Sequence, residues 1–190
     1  MVDPSVFVHE KALCESQDIG PGTRIWAFAH IMDGARVGRG CNVGDHVFIE
    51  SGAVVGDRVT IKNAVLLWDK VVIEDDVFLG PNAVFTNDLT PRAKIKKGRD
   101  QLLPTMVQRG ATIGANATIV CGLTIGSYAF VGAGAVVNGD VPPYALMVGN
   151  PARRSGWVCE CGEKLPESLR CSCSRSYELS DGLLRRQGDE

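Results

Sequence analysis

The sequence lacks most of the features that direct a protein to a membrane or a nucleic acid. Its formal net charge is −2 and it has no block of like charges, so neither a DNA or RNA surface nor an anionic lipid surface is indicated. No apolar run approaches the ~18 residues of a membrane span. The N-terminus carries acidic residues where a signal peptide would have a basic start. We therefore expect a cytoplasmic protein with no membrane or nucleic-acid partner.

Cysteine is present, but without the arrangement of a disulfide framework. Three of the seven cysteines, Cys14, Cys41 and Cys121, are scattered through the chain, and the other four are close together near its C-terminus. With no signal peptide expected, this distribution favours reduced thiols.

What the sequence does have is a strict period of six. Every sixth residue from Ile19 to Phe85 is large and apolar, and we call this set the large column. A second set of mostly smaller residues lies four positions after each member of the first. The large column comprises Ile19, Ile25, Ile31, Val37, Val43, Ile49, Val55, Ile61, Leu67, Ile73, Leu79 and Phe85. Because a helix has a period of about 3.6 and a half-buried strand a period of 2, we predict short strands separated by bends. Three such units close a triangle, and stacked triangles form an all-β parallel β-helix.

The period breaks once. Phe85 and Val107, where the large column resumes, are 22 residues apart, which is not a multiple of six. We therefore predict a projecting loop at residues 86–106 within a β-helix domain of residues 1–150, followed by a C-terminal extension at 151–190. Long loops in compact domains tend to carry function, which favours a substrate pocket here. Phe7 and Leu13 lie in the frame of Ile19 and predict an irregular first coil that caps the open end.

Four stretches of sequence together resemble the hexapeptide-repeat acyltransferases. They are the repeat, the loop "VFTNDLTPRA", the exit "VVNGDVPPYALMVGNPARR" and the tail "GWVCECGEKL". The chain is most similar to the WlbB/WbpD-type UDP-2-acetamido-3-amino-2,3-dideoxyglucuronate N-acetyltransferases. This resemblance implies the left-handed form of the β-helix and a homotrimer, with acetyl-CoA in a cleft between neighbouring prisms and a UDP-sugar under the loop.

The implied reaction is acetylation of the 3-amino group of a UDP-linked 2-acetamido-3-amino-2,3-dideoxyglucuronic acid, in lipopolysaccharide O-antigen sugar biosynthesis. One alternative keeps this chemistry but uses a dTDP-linked 3-amino-3,6-dideoxyhexose. Another alternative is a nonenzymatic β-helix assembly module, which would have no use for the loop or for the basic exit segment.

The loop supplies three candidate acceptor-site residues. The resemblance places Asn87 at the acceptor amine, where an amide can accept a hydrogen bond from the attacking nitrogen. Asp88 and Arg92 are candidate substrate ligands, Arg92 because a guanidinium can pair with a carboxylate or a phosphate. The alternative is a turn asparagine and two solvated loop charges.

Two residues upstream of the loop join this set. Asn63 and Asp69 are one hexad apart, so we expect them at equivalent positions of consecutive bends. The resemblance supports Asp69 as a group that holds the acceptor amine or a sugar hydroxyl. Asn63, at the equivalent position, is a candidate substrate ligand. For Asp69 an exposed corner acid is the alternative.

The exit segment is the candidate acyl-donor site. The resemblance places a Gly-Asn-Pro-Ala stretch against CoA, here with Asn150 and Pro151, and the basic pair Arg153 and Arg154 suits nucleotide phosphates. Small residues in the later coils would permit close approach of the pantetheine arm, although tight corners need small residues too. These residues are Gly110, Gly114, Ala129 and Gly132.

Histidine is scarce, and its three positions carry information. His9, His30 and His46 all lie outside the loop and outside the second run of hexads. An alcohol acceptor needs a general base, often histidine on this scaffold, whereas a neutral amine needs one far less. The sequence thus favours N-acetylation over O-acetylation. The three positions also do not converge as a three-histidine zinc site requires, and we expect His30 and His46 at solvent-facing corners.

The tail holds two C-x-C pairs separated by nine residues, formed by Cys159, Cys161, Cys171 and Cys173. Zinc ribbons prefer C-x-x-C, and the shorter spacing strains two thiolates onto one tetrahedral ion. The spacing therefore favours four free thiols. A structural zinc ion held by all four sulfurs is the alternative.

Overall fold

Very short strands wind into a three-sided prism. The computed structural model describes residues 3–188. Strands one coil apart lie side by side and parallel, so that Val43 pairs with Ile61. This register sends every sixth residue inward, and the large column from Ile19 to Phe85 is buried throughout. Face A counts eight parallel strands, one for each coil. The prediction of an all-β, left-handed parallel β-helix is confirmed.

The three faces of the prism are named A, B and C. Face A contains β1 (Phe7–Val8), β3 (Arg24–Ile25), β6 (Asn42–Val43), β9 (Thr60–Ile61), β12 (Phe78–Leu79), β15 (Thr112–Ile113), β18 (Phe130–Val131), β20 (Ala145–Val148) and, antiparallel at its end, β21 (Arg153–Trp157). Face B contains β2 (Leu13–Cys14), β4 (His30–Ile31), β7 (Phe48–Ile49), β10 (Leu66–Leu67), β13 (Val84–Phe85), β16 (Thr118–Ile119) and β19 (Val136–Val137). Face C contains β5 (Arg36–Val37), β8 (Val54–Val55), β11 (Val71–Ile73), β14 (Thr105–Val107) and β17 (Thr124–Ile125).

The first coil departs from the predicted frame. Val8 pairs with Ile25 and Cys14 pairs with Ile31, which makes this coil one residue shorter than the others. Phe7 and Leu13, predicted to face inward, therefore face outward and are exposed. The first coil is thus irregular, as expected, but Val8 and Cys14 rather than Phe7 and Leu13 continue the inward column. A coil at an open end has no neighbour on one side to enforce the register.

The loop replaces a single corner of the prism. It leaves face B after Phe85 and returns to face C at Thr105, where Ile73 pairs with Val107 as if no residues intervened. The excursion therefore covers residues 86–104, because the last two residues of the predicted range belong to β14. It contains one turn of 3₁₀ helix, Arg99–Gln101.

The C-terminal part begins with a strand that still belongs to the prism. The chain turns after β20 and adds β21 to face A, so the β-helix continues past residue 150 to Trp157. Beyond it lies the tail unit, residues 158–188, with a small core of its own and a hairpin of β22 (Tyr177–Ser180) and β23 (Leu183–Arg186). In the range 3–188, no helix has the length and apolar character that crossing a bilayer would need.

Candidate functional site

One corner of the prism carries two of the predicted acceptor-site residues. Faces B and C meet there and residues 86–104 project from it; we call it the loop corner. Asp69 follows the inward residue Leu67 by two positions, and Asn87 follows Phe85 by two. Since β10 and β13 pair directly, Asp69 and Asn87 occupy the same place in consecutive coils.

Asp69 is buried and ion-paired. Its side chain is 10% exposed, and Arg99 of the loop contacts both carboxylate oxygens, at 2.5 Å from Nε to Oδ2 and 2.8 Å from Nη2 to Oδ1. The Asp69 N–H also donates to Glu50 Oε2 at 2.7 Å. A Cβ added at Gly52 would collide with both members of the pair, so this glycine makes room for it. The hydrogen bond to Asp69 raises the pKa of Arg99 above its usual value.

The neck of the loop is closed by backbone contacts. The Leu103 N–H donates to the Asn87 carbonyl at 3.0 Å, and Lys70 Nζ donates to the Leu102 carbonyl at 2.9 Å. Asn87 is half-buried at this neck. Its position is therefore fixed by the chain that leaves the prism and by the chain that returns to it.

Asp88 is engaged within the loop itself. Lys97 forms an ion pair with its carboxylate, and the Thr90 N–H donates to Oδ1 at 2.8 Å. Lys97 Nζ also donates to Thr90 Oγ1 at 2.7 Å. The hydrogen bond from Lys97, followed by that from Thr90, holds the pKa of Asp88 below its usual range. The Asp88 carboxylate thus has an internal role in the loop, in addition to any contact with a substrate.

A basic pocket lies among the loop residues. Its volume is about 440 Å³, within the range of about 300–1,000 Å³ usual for small-molecule sites. Asn87, Arg92, Lys96 and Lys97 are among its lining residues. Because Lys97 is already neutralised by Asp88, the exposed Arg92 and Lys96 leave an excess of positive charge. Such a pocket suits a ligand that carries phosphate or carboxylate groups.

Asn63 lies at a different corner. It is exposed between faces A and B, and its carbonyl accepts a hydrogen bond from the Asn82 N–H at 3.0 Å. It occupies in its own hexad the place that Asp69 occupies in the next, as the spacing indicates. Within one chain, however, the structure does not bring Asn63 to the loop corner.

The exit segment covers the C-terminal end of the prism. The Ala152 N–H donates to the Val136 carbonyl at 2.7 Å, and the Val136 N–H donates to the Gly149 carbonyl at 3.0 Å. The turn that contains Asn150 and Pro151 therefore lies across the last strand of face B.

The two exit arginines differ in their surroundings. Arg153 is exposed, and its Nη1 donates to the adjacent Ala152 carbonyl at 2.9 Å. The Arg154 guanidinium lies over the Trp157 ring, 4.3 Å from its centroid, and its Nη1 lies 3.4 Å from the Gly182 carbonyl oxygen. Arg153 therefore faces solvent, whereas Arg154 joins the exit to the tail unit.

Two of the small residues predicted for cofactor binding sit at the corner between faces A and B. A Cβ on Gly114 would lie 2.5 Å from the Ala133 nitrogen, and one on Gly132 would lie 3.0 Å from the Val148 side chain. Gly114 is thus required for the coils to stack, whereas a side chain at position 132 would need only a small shift of Val148. Gly132 also borders the strand that leads into the exit turn.

The other two small residues lie elsewhere. Gly110, with φ of +68°, occupies the corner between faces C and A, where the Tyr128 ring covers it. The Ala129 side chain is 1% exposed and points into the core. That side chain belongs to the small buried column, and the suggestion that a small residue here lets the pantetheine arm approach stays a prediction.

The three histidines lie away from the loop corner. His46 stacks on Phe28 at the corner between faces A and B, with ring centroids 4.9 Å apart. His30 faces outward from β4 rather than from a corner, 3.1 Å from Glu15 Oε2. His9 belongs to the first coil.

Sequence reasoning missed Arg99, Lys97 and Lys70. Each stabilises the loop through a contact with a residue that is not its neighbour in sequence. The period of six carries no information about such contacts. The available signal was the basic run "KIKKGRD", which follows the acids Asp69 and Asp88 in the sequence. It indicates charge pairing but not which partners meet.

A larger cavity, of about 740 Å³, lies between the tail hairpin and the last coils. Tyr144, Ser127 and Arg185 are among its lining residues, and all the predicted site residues lie outside it. We assign it no role in the candidate acceptor site.

Comparison with known proteins agrees with the prism. Residues 18–51 match the family described as bacterial transferase hexapeptide (six repeats), and residues 104–138 match the hexapeptide repeat of succinyl-transferase. The chain is 56% identical, over 94% of its length and 93% of the relative's, to a dTDP-3-amino-3,6-dideoxy-alpha-D-galactopyranose 3-N-acetyltransferase of Aneurinibacillus thermoaerophilus. The chain belongs to the hexapeptide-repeat acetyltransferase family.

Two solved structures show the same architecture. A hexapeptide-repeat acetyltransferase of Vibrio cholerae, complexed with acetyl-CoA, is 28% identical, with a TM-score of 0.56 over 66% of this chain and 72% of that one. A maltose O-acetyltransferase of Clostridium difficile is 26% identical, with a TM-score of 0.54 over 63% and 67%. The family-level resemblance is thus confirmed. The expected WlbB/WbpD type is corrected, because the relative similar over nearly the whole chain acts on a dTDP-linked sugar.

Proposed function

We propose that this protein is an acetyl-CoA-dependent N-acetyltransferase that acts on the 3-amino group of a dTDP-linked 3-amino-3,6-dideoxyhexose. The observation that carries the proposal is 56% identity to an enzyme of that specificity over 94% of the chain. Similarity confined to the repeat would support only the fold, because one scaffold serves many acceptors. Here the similarity extends beyond the repeat.

The chemistry of the loop corner supports an amine acceptor. Within one chain all three histidines lie elsewhere, and Asp69 is already paired with Arg99. A neutral amine attacks a thioester carbonyl without prior loss of a proton. Asn87 would accept a hydrogen bond from that amine and so orient its lone pair, and the proton would leave to solvent or to the departing thiolate.

We assign Asp69 a positioning role. Both of its carboxylate oxygens contact Arg99, so it acts on the acceptor through the loop that Arg99 anchors. This assignment differs from direct contact with the amine, which would require the ion pair to open. Asn63, at the corner between faces A and B, would reach the acceptor only from a neighbouring protomer.

The loop pocket suits a nucleotide diphosphate. Arg92 and Lys96 present positive charge to its interior, and guanidinium and ammonium groups bind phosphate oxygens well. The same two residues also support the UDP-linked uronic acid as a second acceptor, because a sugar carboxylate would need a basic partner. The dTDP-linked sugar is favoured because it is the substrate named for the relative that is 56% identical to this chain.

The exit segment fits the phosphates of an acyl donor. The exposed guanidinium of Arg153 stands next to Asn150 and Pro151, beside the glycine-lined corner that contains Gly114 and Gly132. Acetyl-CoA would supply the activated acetyl group. The chain's own part is to hold the phosphates at Arg153 and to leave the corner free of side chains.

Face B supports a homotrimer. Its outward-facing residues include the exposed apolar side chains Leu66 and Val84 on consecutive coils, and Leu13 on the first coil. An exposed apolar face of this kind marks an interaction surface. A trimer would also bring a corner of one protomer to the loop corner of the next. We further propose a cytoplasmic location, which seven cysteines without disulfides support.

The experiment is a substrate comparison with purified protein. Acetyl-CoA is mixed with dTDP-linked 3-amino-3,6-dideoxyhexoses, the UDP-linked 3-amino uronic acid and matched 3-hydroxy sugars, and free thiol is followed. We expect kcat/KM for a dTDP-linked amine to exceed that for the UDP uronic acid by at least about tenfold. The reverse order would restore the uronic acid as substrate. Absence of turnover and of acetyl-CoA binding would support the assembly module instead.

A further inference from the structure

The four tail cysteines converge in space although they come from two separate turns. Their sulfur atoms all lie within 4.8 Å of one another. Cys159 Sγ is 3.4 Å from Cys173 Sγ, and Cys161 Sγ is 3.5 Å from Cys171 Sγ. A tetrahedral zinc site with Zn–S bonds of about 2.3 Å has S···S edges of about 3.8 Å. We propose that these four cysteines bind one structural zinc ion.

The two turns have the same backbone pattern. In the first, the Cys159 N–H donates to the Glu163 carbonyl at 2.9 Å and the Gly162 N–H donates to the Cys159 carbonyl at 2.8 Å. In the second, the Cys171 N–H donates to the Arg175 carbonyl at 2.9 Å and the Ser174 N–H to the Cys171 carbonyl at 3.0 Å.

This duplication answers the objection from spacing. Each turn points one cysteine into the tail core, Cys159 or Cys171, and leaves the next, Cys161 or Cys173, near the surface. Two close sulfur pairs, Cys159 with Cys173 and Cys161 with Cys171, join one turn to the other. The ion therefore joins two facing turns, and no single C-x-C pair has to act alone as a tight chelate.

Hydrogen-bond donors surround the sulfurs in the manner of an outer shell. Tyr177 Oη donates to Cys159 Sγ at 3.1 Å, and Arg175 Nη1 donates to Cys173 Sγ at 3.2 Å. Outer-shell donors of this kind orient ligands and stabilise the thiolate form. The Arg175 charge also offsets part of the negative charge of a four-thiolate zinc site. On zinc binding, the thiol protons pass to solvent.

The tail unit needs such a constraint. Its buried core consists of five side chains, two of which are the cysteines themselves: Cys159, Leu165, Cys171, Tyr177 and Leu184. Units below about 40 residues usually require a metal, disulfides or association to hold their fold. Because all four ligands come from the protein, the ion has no open position and is structural.

The zinc ion would also fasten the tail to the prism. The Tyr144 ring of the last coil packs on Tyr177 with centroids 5.4 Å apart, and the Val158 N–H donates to the Tyr144 carbonyl at 2.8 Å. Loss of the ion should therefore release the tail unit while leaving the β-helix intact.

The test measures metal content and thiol state of the full-length protein, purified with a non-thiol reductant and without chelators. We expect about one zinc per chain in the wild-type protein and in the Cys14→Ser control, and less than about a tenth of that in the Cys159→Ser/Cys171→Ser double variant. In wild-type protein, an organomercurial titration should release the zinc as the tail thiols react, seen with a metal-binding dye. Cobalt should give the charge-transfer and d–d bands of a tetrahedral thiolate site.

A chelator should expose residues 158–188 to protease while the β-helix resists. The proposal would be overturned by wild-type protein that is free of zinc and does not take it up, by zinc that persists unchanged in the double variant, or by peptide mapping that finds the four cysteines as two disulfides. Iron at full occupancy in place of zinc would overturn the identity of the ion.

Discussion

The Asp69 carboxylate and the Arg99 guanidinium join the prism wall to the returning half of the loop, across thirty positions of sequence. Asp69 is nearly enclosed, whereas the Arg99 side chain is 69% exposed. Asp69 is therefore held in the prism wall, and Arg99 of the loop contacts it from the solvent side. Because Asn87 lies in the equivalent place one coil later, the fit of the loop at this corner determines how Asn87 meets a substrate.

Arg99→Ala should loosen the loop without unfolding the prism. Residues 86–104 replace one corner and contribute no side chain to the buried core, so the core should persist. We expect faster hydrogen exchange in loop peptides and a fall in kcat/KM of about tenfold to a hundredfold from misplaced acceptor groups. Lys94→Ala, in the same loop and also exposed, is the matched control. Unchanged exchange in Arg99→Ala would show that the ion pair does not hold the loop.

The Asp88–Lys97 pair should make the loop sensitive to acid. The folded-state pKa of Asp88 lies below its unfolded value, and the hydrogen bond from Lys97 is the main cause. The stabilisation is thus present above the unfolded value of about 3.9 and is lost as the pH falls through the folded pKa. Loop exchange, corrected for intrinsic rates, should be constant near neutrality and rise in acid. Asp88→Asn should abolish this acid-dependent rise, and persistence of the rise would assign it to other groups.

The period of six determined most of the fold before any contact was known, because each hexad specifies an inward residue, a small residue and a corner. Val107 could be placed on the same column as Ile73 from apolarity alone. The frame of the first coil could not be predicted in this way, because at the open end no second neighbour enforces it. Val8 there takes the inward place of Phe7. The site was less accessible still. Asn87 and Asp69 were found by resemblance, but the partner of Asp69 is a loop residue thirty positions away.

The tail shows the limit of spacing rules more clearly. Two C-x-C pairs are unfavourable as chelates when each is considered by itself, and the sequence contains no information on how two turns face each other. In the structure Cys159 Sγ lies 3.4 Å from Cys173 Sγ, which belongs to the other turn. Only the fold of the intervening chain, which packs Tyr177 and Leu165 into one small core, brings the four sulfurs together.

Asn87→Ala should lower kcat more than it raises KM for the nucleotide sugar. The proposed hydrogen bond orients the reacting amine, so its loss should affect the transition state more than ground-state binding. We expect a fall in kcat of about tenfold to a thousandfold. Thr90→Ala, which alters a nearby loop side chain, is the control. A wild-type kcat in Asn87→Ala would remove this residue from the acceptor site.

Arg153→Ala should weaken acyl-donor binding. Arg153 faces solvent next to the exit turn, and loss of one phosphate contact should raise the KM for acetyl-CoA by about tenfold with little change in kcat. Arg154→Ala is an informative comparison, because Arg154 lies over Trp157 and should affect attachment of the tail more than the KM. An acetyl donor that lacks the CoA nucleotide should be insensitive to Arg153→Ala. Equal effects on both donors would place Arg153 outside the phosphate site.

Leu66→Asp should dissociate the proposed trimer. Leu66 faces outward from face B and is 39% exposed in the single chain, and a carboxylate buried between protomers without a partner is strongly unfavourable. Light scattering coupled to size-exclusion chromatography should show a shift from about three chains to one, with retained β-structure by circular dichroism. Thr60→Asp, which places the same charge on the outward side of face A, should remain trimeric. Because the proposed trimer would supply a second edge to each loop corner, the dissociated variant should also lose turnover. A monomeric variant with full activity would confine the whole active site to one chain, and would leave Asn63 no route to the acceptor.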